Sequence, residues 1–181
     1  MVYMFLADGF EEIEVFYPLD VLRRCGVEVA TVGVFGEYAT STRGVTVKAD
    51  VDISEVKKDN KLSMIILPGG NPGYTNLSNS KAMLDIIEYC DKFNVYIAAI
   101  CGAPTILGKL GLLRGKSATC YPGLEKDLSG AKYVNKPVVI DGKIITSQAA
   151  GTSEKFAFAI AEILAGKAKS AEVYKTMLCG K

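Results

Sequence analysis

The chain has 181 residues, with 21 basic and 20 acidic side chains, a net charge of +1 at pH 7 and no histidine. Balanced charge with neither sign gathered in a block argues against nucleic acid or an anionic membrane surface as partner, and the length suits one domain over residues 1–181. Without histidine, Ser-His-Asp and Cys-His catalysis and His-ligated metals are excluded.

In chain order, the apolar start Met1 to Asp8 is too short to span a bilayer and has no basic leader, so it reads as the first strand (Val2 to Ala7) of a cytoplasmic protein. Asp8-Gly9 is the turn that follows. Glu11 to Cys25 carries apolar residues at helical spacing, with Gly26 as its stop and Pro18 expected to break or kink it. Val27 to Phe35 is a second strand, and Thr40 to Val51 holds two β-rich pieces around Arg43-Gly44, a hairpin beside the main sheet. Ser63 to Leu67 reads as a buried strand halted by Pro68-Gly69-Gly70-Asn71-Pro72-Gly73, and Ser78 to Phe93 as one amphipathic helix.

Val95 to Ile100 is another buried strand, which ends on Cys101 and gives way to a helix reaching about Lys109. Pro137 to Ser147 holds a hairpin through Asp141-Gly142. Gly151 to Ala165 is the last clear helix, with Thr152 or Ser153 as N-cap and Gly166 just past its end; Lys167 to Lys181 adds a short helix or a tail. Alternating strands and helices without repeat or linker predict an α/β fold with a mostly parallel sheet.

The sharpest chemical signal is Ala98-Ala99-Ile100-Cys101-Gly102-Ala103-Pro104-Thr105. A cysteine on a tight strand-to-helix turn is expected to be conformationally strained. Its sulfur faces unpaired N–H groups, which lower the thiol pKa below its usual ~8.5. The five cysteines are scattered and odd in number, which suits free thiols in a reducing compartment better than disulfides or zinc. Cys25, Cys90 and Cys179 read as inert. Cys120, beside Tyr121, reads as structural, or as a pocket neighbour oxidised together with Cys101. Ligands in open α/β sheets collect at the carboxyl ends of strands, so the loops at Asp8 to Glu14, Gly69-Gly70 and Cys101-Gly102 are expected to converge.

Taken in order, Ala7-Asp8-Gly9-Phe10-Glu11-Glu12-Ile13-Glu14, Asp20-Val21-Leu22-Arg23-Arg24-Cys25-Gly26, Leu67-Pro68-Gly69-Gly70, the Cys101 segment and Gly151-Thr152-Ser153 resemble the ThiJ/PfpI family, in its branch of parkinsonism-associated deglycases. The resemblance implies a flavodoxin-like three-layer sandwich with a nucleophile-elbow cysteine, related to class I glutamine amidotransferases. It implies Cys101 as the reactive cysteine and Glu14 as a carboxyl of raised pKa that hydrogen-bonds the sulfur and serves as acid and base. The N–H groups of Gly70 and Gly102 would form the oxyanion site. Gly69 permits the turn, Arg24 and Arg43 lie near the pocket mouth and a dimer interface, and Glu11 and Glu12 face solvent and cap their helix.

Where family members commonly carry a His-Pro pair, this chain has Tyr121-Pro122, which weakens peptidase chemistry and offers a hydroxyl instead. The implied activity is cofactor-free and metal-free: a glyoxalase or protein deglycase acting on small dicarbonyls or glycated protein, in a homodimer. A redox-responsive stress protein or chaperone needs the same residues. Amidase, hydratase or peptidase action is the more distant alternative.

Overall fold

Residues of the central strands face two apolar layers alternately, and that alternation organises the molecule. In the computed structural model, which describes residues 1–180, strand β1 (Val2–Leu6) sends Tyr3 and Phe5 to one layer and Val2, Met4 and Leu6 to the other. Strands β6 (Met64–Leu67) and β7 (Tyr96–Ile100) repeat the pattern, with Ile65, Leu67, Ile97 and Ala99 on the first side and Met64, Ile66, Ala98 and Ile100 on the second. Both sets are buried, as a parallel sheet covered on both faces requires.

The remaining members of this sheet are β2 (Val29–Gly33), β5 (Val51–Asp52), β10 (Val138–Asp141) and β11 (Ile144–Ser147). Their order is β10-β11-β7-β6-β1-β2-β5. Every pairing is parallel except β10 with β11, the hairpin turned at Asp141-Gly142. One helical layer comprises α2 (Gly73–Asn79), α3 (Lys81–Lys92) and α4 (Pro104–Lys109), which bury Leu77, Met83, Ile86, Ile87, Ile106 and Leu107. The other comprises α1 (Glu12–Arg24), α5 (Ser153–Ala165) and α6 (Lys167–Thr176), which bury Val15, Val21, Leu22, Phe156, Ile160 and Val173. This is the expected flavodoxin-like three-layer α/β sandwich. No helix among the described residues is long and apolar enough to cross a membrane.

Two local expectations are corrected, and the bounds of a third, the hairpin, are refined. Pro18 does not interrupt α1; its ring is buried within one continuous helix packed on α5, and that burial offsets the N–H it cannot give to the Glu14 carbonyl. The segment after the Gly-rich turn forms two helices rather than one. Ser80 leaves helical geometry (φ −85°, ψ 112°), ending α2, and its hydroxyl accepts the Met83 N–H that opens α3. The hairpin around Arg43-Gly44 is a separate two-stranded sheet, β3 (Tyr38–Thr40) with β4 (Thr46–Lys48), while Val51 leaves it to extend the main sheet beside β2. A second small pair, β8 (Ser117–Ala118) with β9 (Lys132–Tyr133), carries no sequence signal beyond its short length.

Candidate active site

Cys101 follows β7 directly and adopts φ +66°, a left-handed conformation that costs a non-glycine residue roughly 1–2 kcal/mol. Its backbone is fixed on both sides. The Cys101 N–H donates to the Ser147 carbonyl at the end of β11 (3.0 Å), and the Cys101 carbonyl accepts the Tyr121 N–H (2.8 Å). The end of β11 and the loop at Tyr121 therefore hold the strained turn in place. The expected elbow is present, although α4 spans only six residues, Pro104–Lys109.

Glu14 enters from the first turn of α1 and is 1% exposed. Its Oε2 accepts the Gly69 N–H at 2.8 Å, while Oε1 is buried with no hydrogen-bond partner among the described residues. Gly69 lies between the carboxyl and the cysteine. A Cβ there would sit 2.5 Å from Cys101 Cβ, 2.7 Å from Glu14 Oε2 and 3.0 Å from Cys101 Sγ. Any side chain at this position would separate the two groups. Gly70 has φ +92°, and a Cβ on it would lie 2.2 Å from the Gly9 carbonyl oxygen. The Gly69 carbonyl accepts the Glu11 N–H (3.1 Å), and the Gly9 carbonyl accepts the Gly73 N–H (3.2 Å). The three loops expected to converge are thus laced together by backbone hydrogen bonds.

Burial pushes the Glu14 carboxyl up from 4.5 to about 7, against the Gly69 N–H that favours its ionised form. Burial and the Glu14 charge push the Cys101 thiol up to about 12, while the N–H groups of Gly70 and Gly102 pull it down. The elbow alone therefore does not leave a free thiolate, which corrects the expectation of a lowered thiol pKa. The two groups form one titrating unit. With the proton on Glu14, the repulsion that its carboxylate exerts on a thiolate at Cys101 vanishes.

A cavity of about 460 Å³ opens over the sulfur, lined by Gly70, Asn71 and Tyr74, by Cys101 and Gly102, and by residues 121–124. Tyr121, expected near the pocket, is on its wall, and Gly69 lies beneath it against Cys101. Arg24 and Arg43 are not. Arg24 pairs with Asp20 (2.8 Å) at the opposite end of α1 from Glu14, and Arg43 is exposed at the hairpin tip. Within one chain neither arginine reaches the cavity, and helical rise alone carries Arg24 about 15 Å along α1 from Glu14; the expectation for them concerns a dimer interface, which a single chain does not test.

Glu12 does not simply face solvent, as expected, but grips that hairpin. It accepts the hydroxyls of Ser41 and Thr42 and the Arg43 N–H. Cys120 is fully buried and not on the cavity wall, and burial pushes its thiol up to about 12. Asn71, Tyr74, Gly123 and Leu124 were not legible as site residues. Tyr74 reaches Gly102, beside Cys101, through the fold of the Gly-rich turn, for which sequence spacing holds no signal.

Comparison with known proteins agrees with this fold. Residues 1–163 match the model of the DJ-1/PfpI family. The chain is 42% identical over 176 residues to Protein dj-1beta of Drosophila melanogaster, covering 96% of this chain and 94% of the relative. It is 33% identical over 173 residues to the glutathione-independent glyoxalase DJR-1.2 of Caenorhabditis elegans, covering 94% and 91%. The crystal structure of Drosophila melanogaster DJ-1beta superimposes with a TM-score of 0.94 at 39% identity, over 99% of this chain and 98% of that one. Oxidised Toxoplasma gondii DJ-1 does so with a TM-score of 0.91 at 31% identity, over 99% and 98%. With most of the chain inside the family model and relatives matched nearly end to end, the protein belongs to the DJ-1/PfpI family.

Proposed function

We propose that the protein is a cofactor-independent glyoxalase and deglycase for methylglyoxal, glyoxal or their early adducts, with Cys101 as nucleophile and Glu14 as acid and base. The observation that carries this reading is the buried Glu14 carboxyl, separated from the Cys101 sulfur only by a glycine that has no room for a side chain. The glyoxalase name of the Caenorhabditis elegans relative supports it at the level of the family.

The reaction uses the pair while it holds one proton. Sulfur adds to the aldehyde carbon as Glu14 holds the thiol proton, and the N–H groups of Gly70 and Gly102 stabilise the resulting oxyanion. Glu14 gives its proton to that oxygen, which leaves a hemithioacetal and a carboxylate. The carboxylate next removes the hydrogen of the former aldehyde carbon and returns a proton to the adjacent, former ketone carbon. The result is a thioester of the 2-hydroxy acid. Water cleaves it, restoring the thiol and releasing lactate from methylglyoxal or glycolate from glyoxal. The redox change is internal to the substrate, so no external oxidant or reductant is consumed.

The test is lactate formation from methylglyoxal without glutathione, in a buffer free of amines and thiols. Wild type forms lactate, whereas Cys101→Ser and Glu14→Gln do not; substantial turnover by either purified variant overturns the assignment. In the same reading the protein acts as a homodimer, which sedimentation analysis would detect.

One feature favours a second reading, in which Cys101 senses oxidants. The unpartnered Glu14 Oε1 would supply an O–H partner to an oxygen of a sulfinate formed on that sulfur. The two roles share their residues, and a Cys101-dependent lactate signal separates them.

A further inference from the structure

Glu14 owes its position to the first turn of α1, and that turn lacks the usual device for holding it. The N-cap residue, Glu11, makes no side-chain hydrogen bond to the helix. The leading N–H groups of a helix have no partner inside it, and a helix end without a cap frays. Backbone support for the Glu14 carboxyl is a single N–H, that of Gly69. Fraying here would admit water to a side chain that is 1% exposed.

Besides the Glu11 N–H on the Gly69 carbonyl (3.1 Å), the side chain that holds this turn is Glu12. It gathers three donors of the β3–β4 hairpin. Oε1 accepts the Ser41 hydroxyl and the Arg43 N–H (2.9 Å), and Oε2 accepts the Thr42 hydroxyl (3.1 Å). The hairpin is anchored in its turn. The Thr42 N–H donates to the Phe10 carbonyl (2.8 Å), the Gly9 N–H to the Thr40 carbonyl (2.7 Å) and the Thr40 N–H to the Asp8 carboxylate (2.8 Å). All of these bonds lie within one chain, so they persist whichever surface a partner covers in a homodimer.

Against the burial that raises it, hydrogen bonds from Ser41, its own N–H, Thr42 and Arg43 hold the Glu12 carboxyl below 4.5, so it stays ionised while Glu14 titrates. The charge that acts on Glu14 from its own helix is that of Glu11, and the titratable group facing it across Gly69 is Cys101.

We propose that Glu12 is a positioning residue for Glu14: by clamping the first turn of α1 to the β3–β4 hairpin, it keeps the Glu14 carboxyl dry beneath Gly69. The inference rests on the pairing of Glu14 with Cys101 in the reading above and not on the substrate.

The experiment follows alkylation of Cys101 by iodoacetamide against pH, which needs no dicarbonyl, at a low and a high protein concentration. Wild type shows a limb centred at about 7. Glu12→Ala moves the limb down by about one pH unit or more. Each unit lowers the plateau rate about tenfold, because the one remaining proton of the pair then resides on sulfur. Glu12→Gln retains an acceptor for Ser41 and Arg43 and a polar group for Thr42, and leaves the limb at about 7. Ser41→Ala combined with Thr42→Val, which keeps both glutamates, moves it as Glu12→Ala does. A Glu12→Ala limb that stays at about 7 while only Tm falls overturns the inference. An equal shift in Glu12→Gln overturns it too, as does a shift that vanishes at high protein concentration and so belongs to the subunit contact. If wild type has no limb near 7, the pairing itself fails and this inference fails with it.

Discussion

Gly69→Ala tests the central geometry without touching either reacting group. The backbone at Gly69 has no left-handed strain, so alanine is conformationally admissible and its effect is purely steric. The added methyl would sit 2.5 Å from Cys101 Cβ and 2.7 Å from Glu14 Oε2, against ordinary contacts of 3.4 Å and beyond. One of these groups must retreat by roughly an ångström, and a displacement of that size at reacting atoms costs about 100-fold in rate. Neither neighbour moves freely, because Cys101 is pinned by Ser147 and Tyr121 and Glu14 by the Gly69 N–H. Overpacking of such a site costs about 1–3 kcal/mol, or several degrees in Tm for a chain of this length. The assay is kcat/KM for Cys101-dependent lactate, with thermal unfolding measured alongside. Gly151→Ala is the matched control, since a Cβ there meets nothing within 4 Å and its backbone is not left-handed; its stability change stays within about 0.5 kcal/mol. A Gly69→Ala protein within a few-fold of wild-type activity would refute the claim that the reaction needs Glu14 and Cys101 as close as a glycine allows.

The remaining predictions concern the shared proton and the other cysteines. Activity and alkylation of Cys101 by iodoacetamide both rise with pH along a limb centred at about 7, where the buried pair loses its first proton, and stay level to pH 9; a rate that falls above pH 7 contradicts this. On a Cys101→Ala background, Glu14→Gln raises stability at pH 8 by roughly 3 kcal/mol, because a carboxyl whose folded value is raised to about 7 contributes its full stability below 4.5 and loses it as pH climbs through 7. Equal Tm values for the two proteins at both pH 8 and pH 4.5 would count against a buried, titrating Glu14. Mild peroxide adds two oxygens to Cys101, which is partly exposed on the cavity wall, before Cys25, Cys90 or Cys120, which are buried. Intact-protein and peptide mass spectrometry would reverse this if Cys120 were modified first.

The fold was readable wherever burial on two faces left runs such as Met64 to Leu67 and Val95 to Ile100, since only strands covered by helices on both sides are apolar throughout. Boundaries were less legible where one residue does two jobs. Ser80 both closes α2 and caps α3, so an apolar pattern that crosses it looks like a single helix. Pro18 misled for the opposite reason: its local cost is real, but tertiary packing of α1 on α5 outweighs it. At the site, Cys101 announces itself through its small neighbours, whereas Glu14 taken alone resembles Glu11 and Glu12. Only the fold distinguishes the three. Glu14 turns inward beneath Gly69, while Glu12 turns to the hairpin and its hydroxyls. Tyr74 had no signal, because its approach to Gly102 depends on how the turn from Gly70 to Gly73 bends back over Gly9.

The absence of histidine makes that burial consequential. An imidazole titrates near neutrality with little help, but a carboxyl reaches about 7 only when the protein removes its water. The basicity of Glu14 is thus a property of packing. It depends on α1 lying close under Gly69, on a glycine at that position, and on Oε1 having no competing donor. Each condition that strengthens the base also destabilises the ionised native state, so at this site reactivity and stability at alkaline pH oppose one another. A substitution that admits water to Glu14 should raise stability at pH 8 and, by returning the carboxyl toward 4.5, weaken the group that must hold the proton while sulfur attacks.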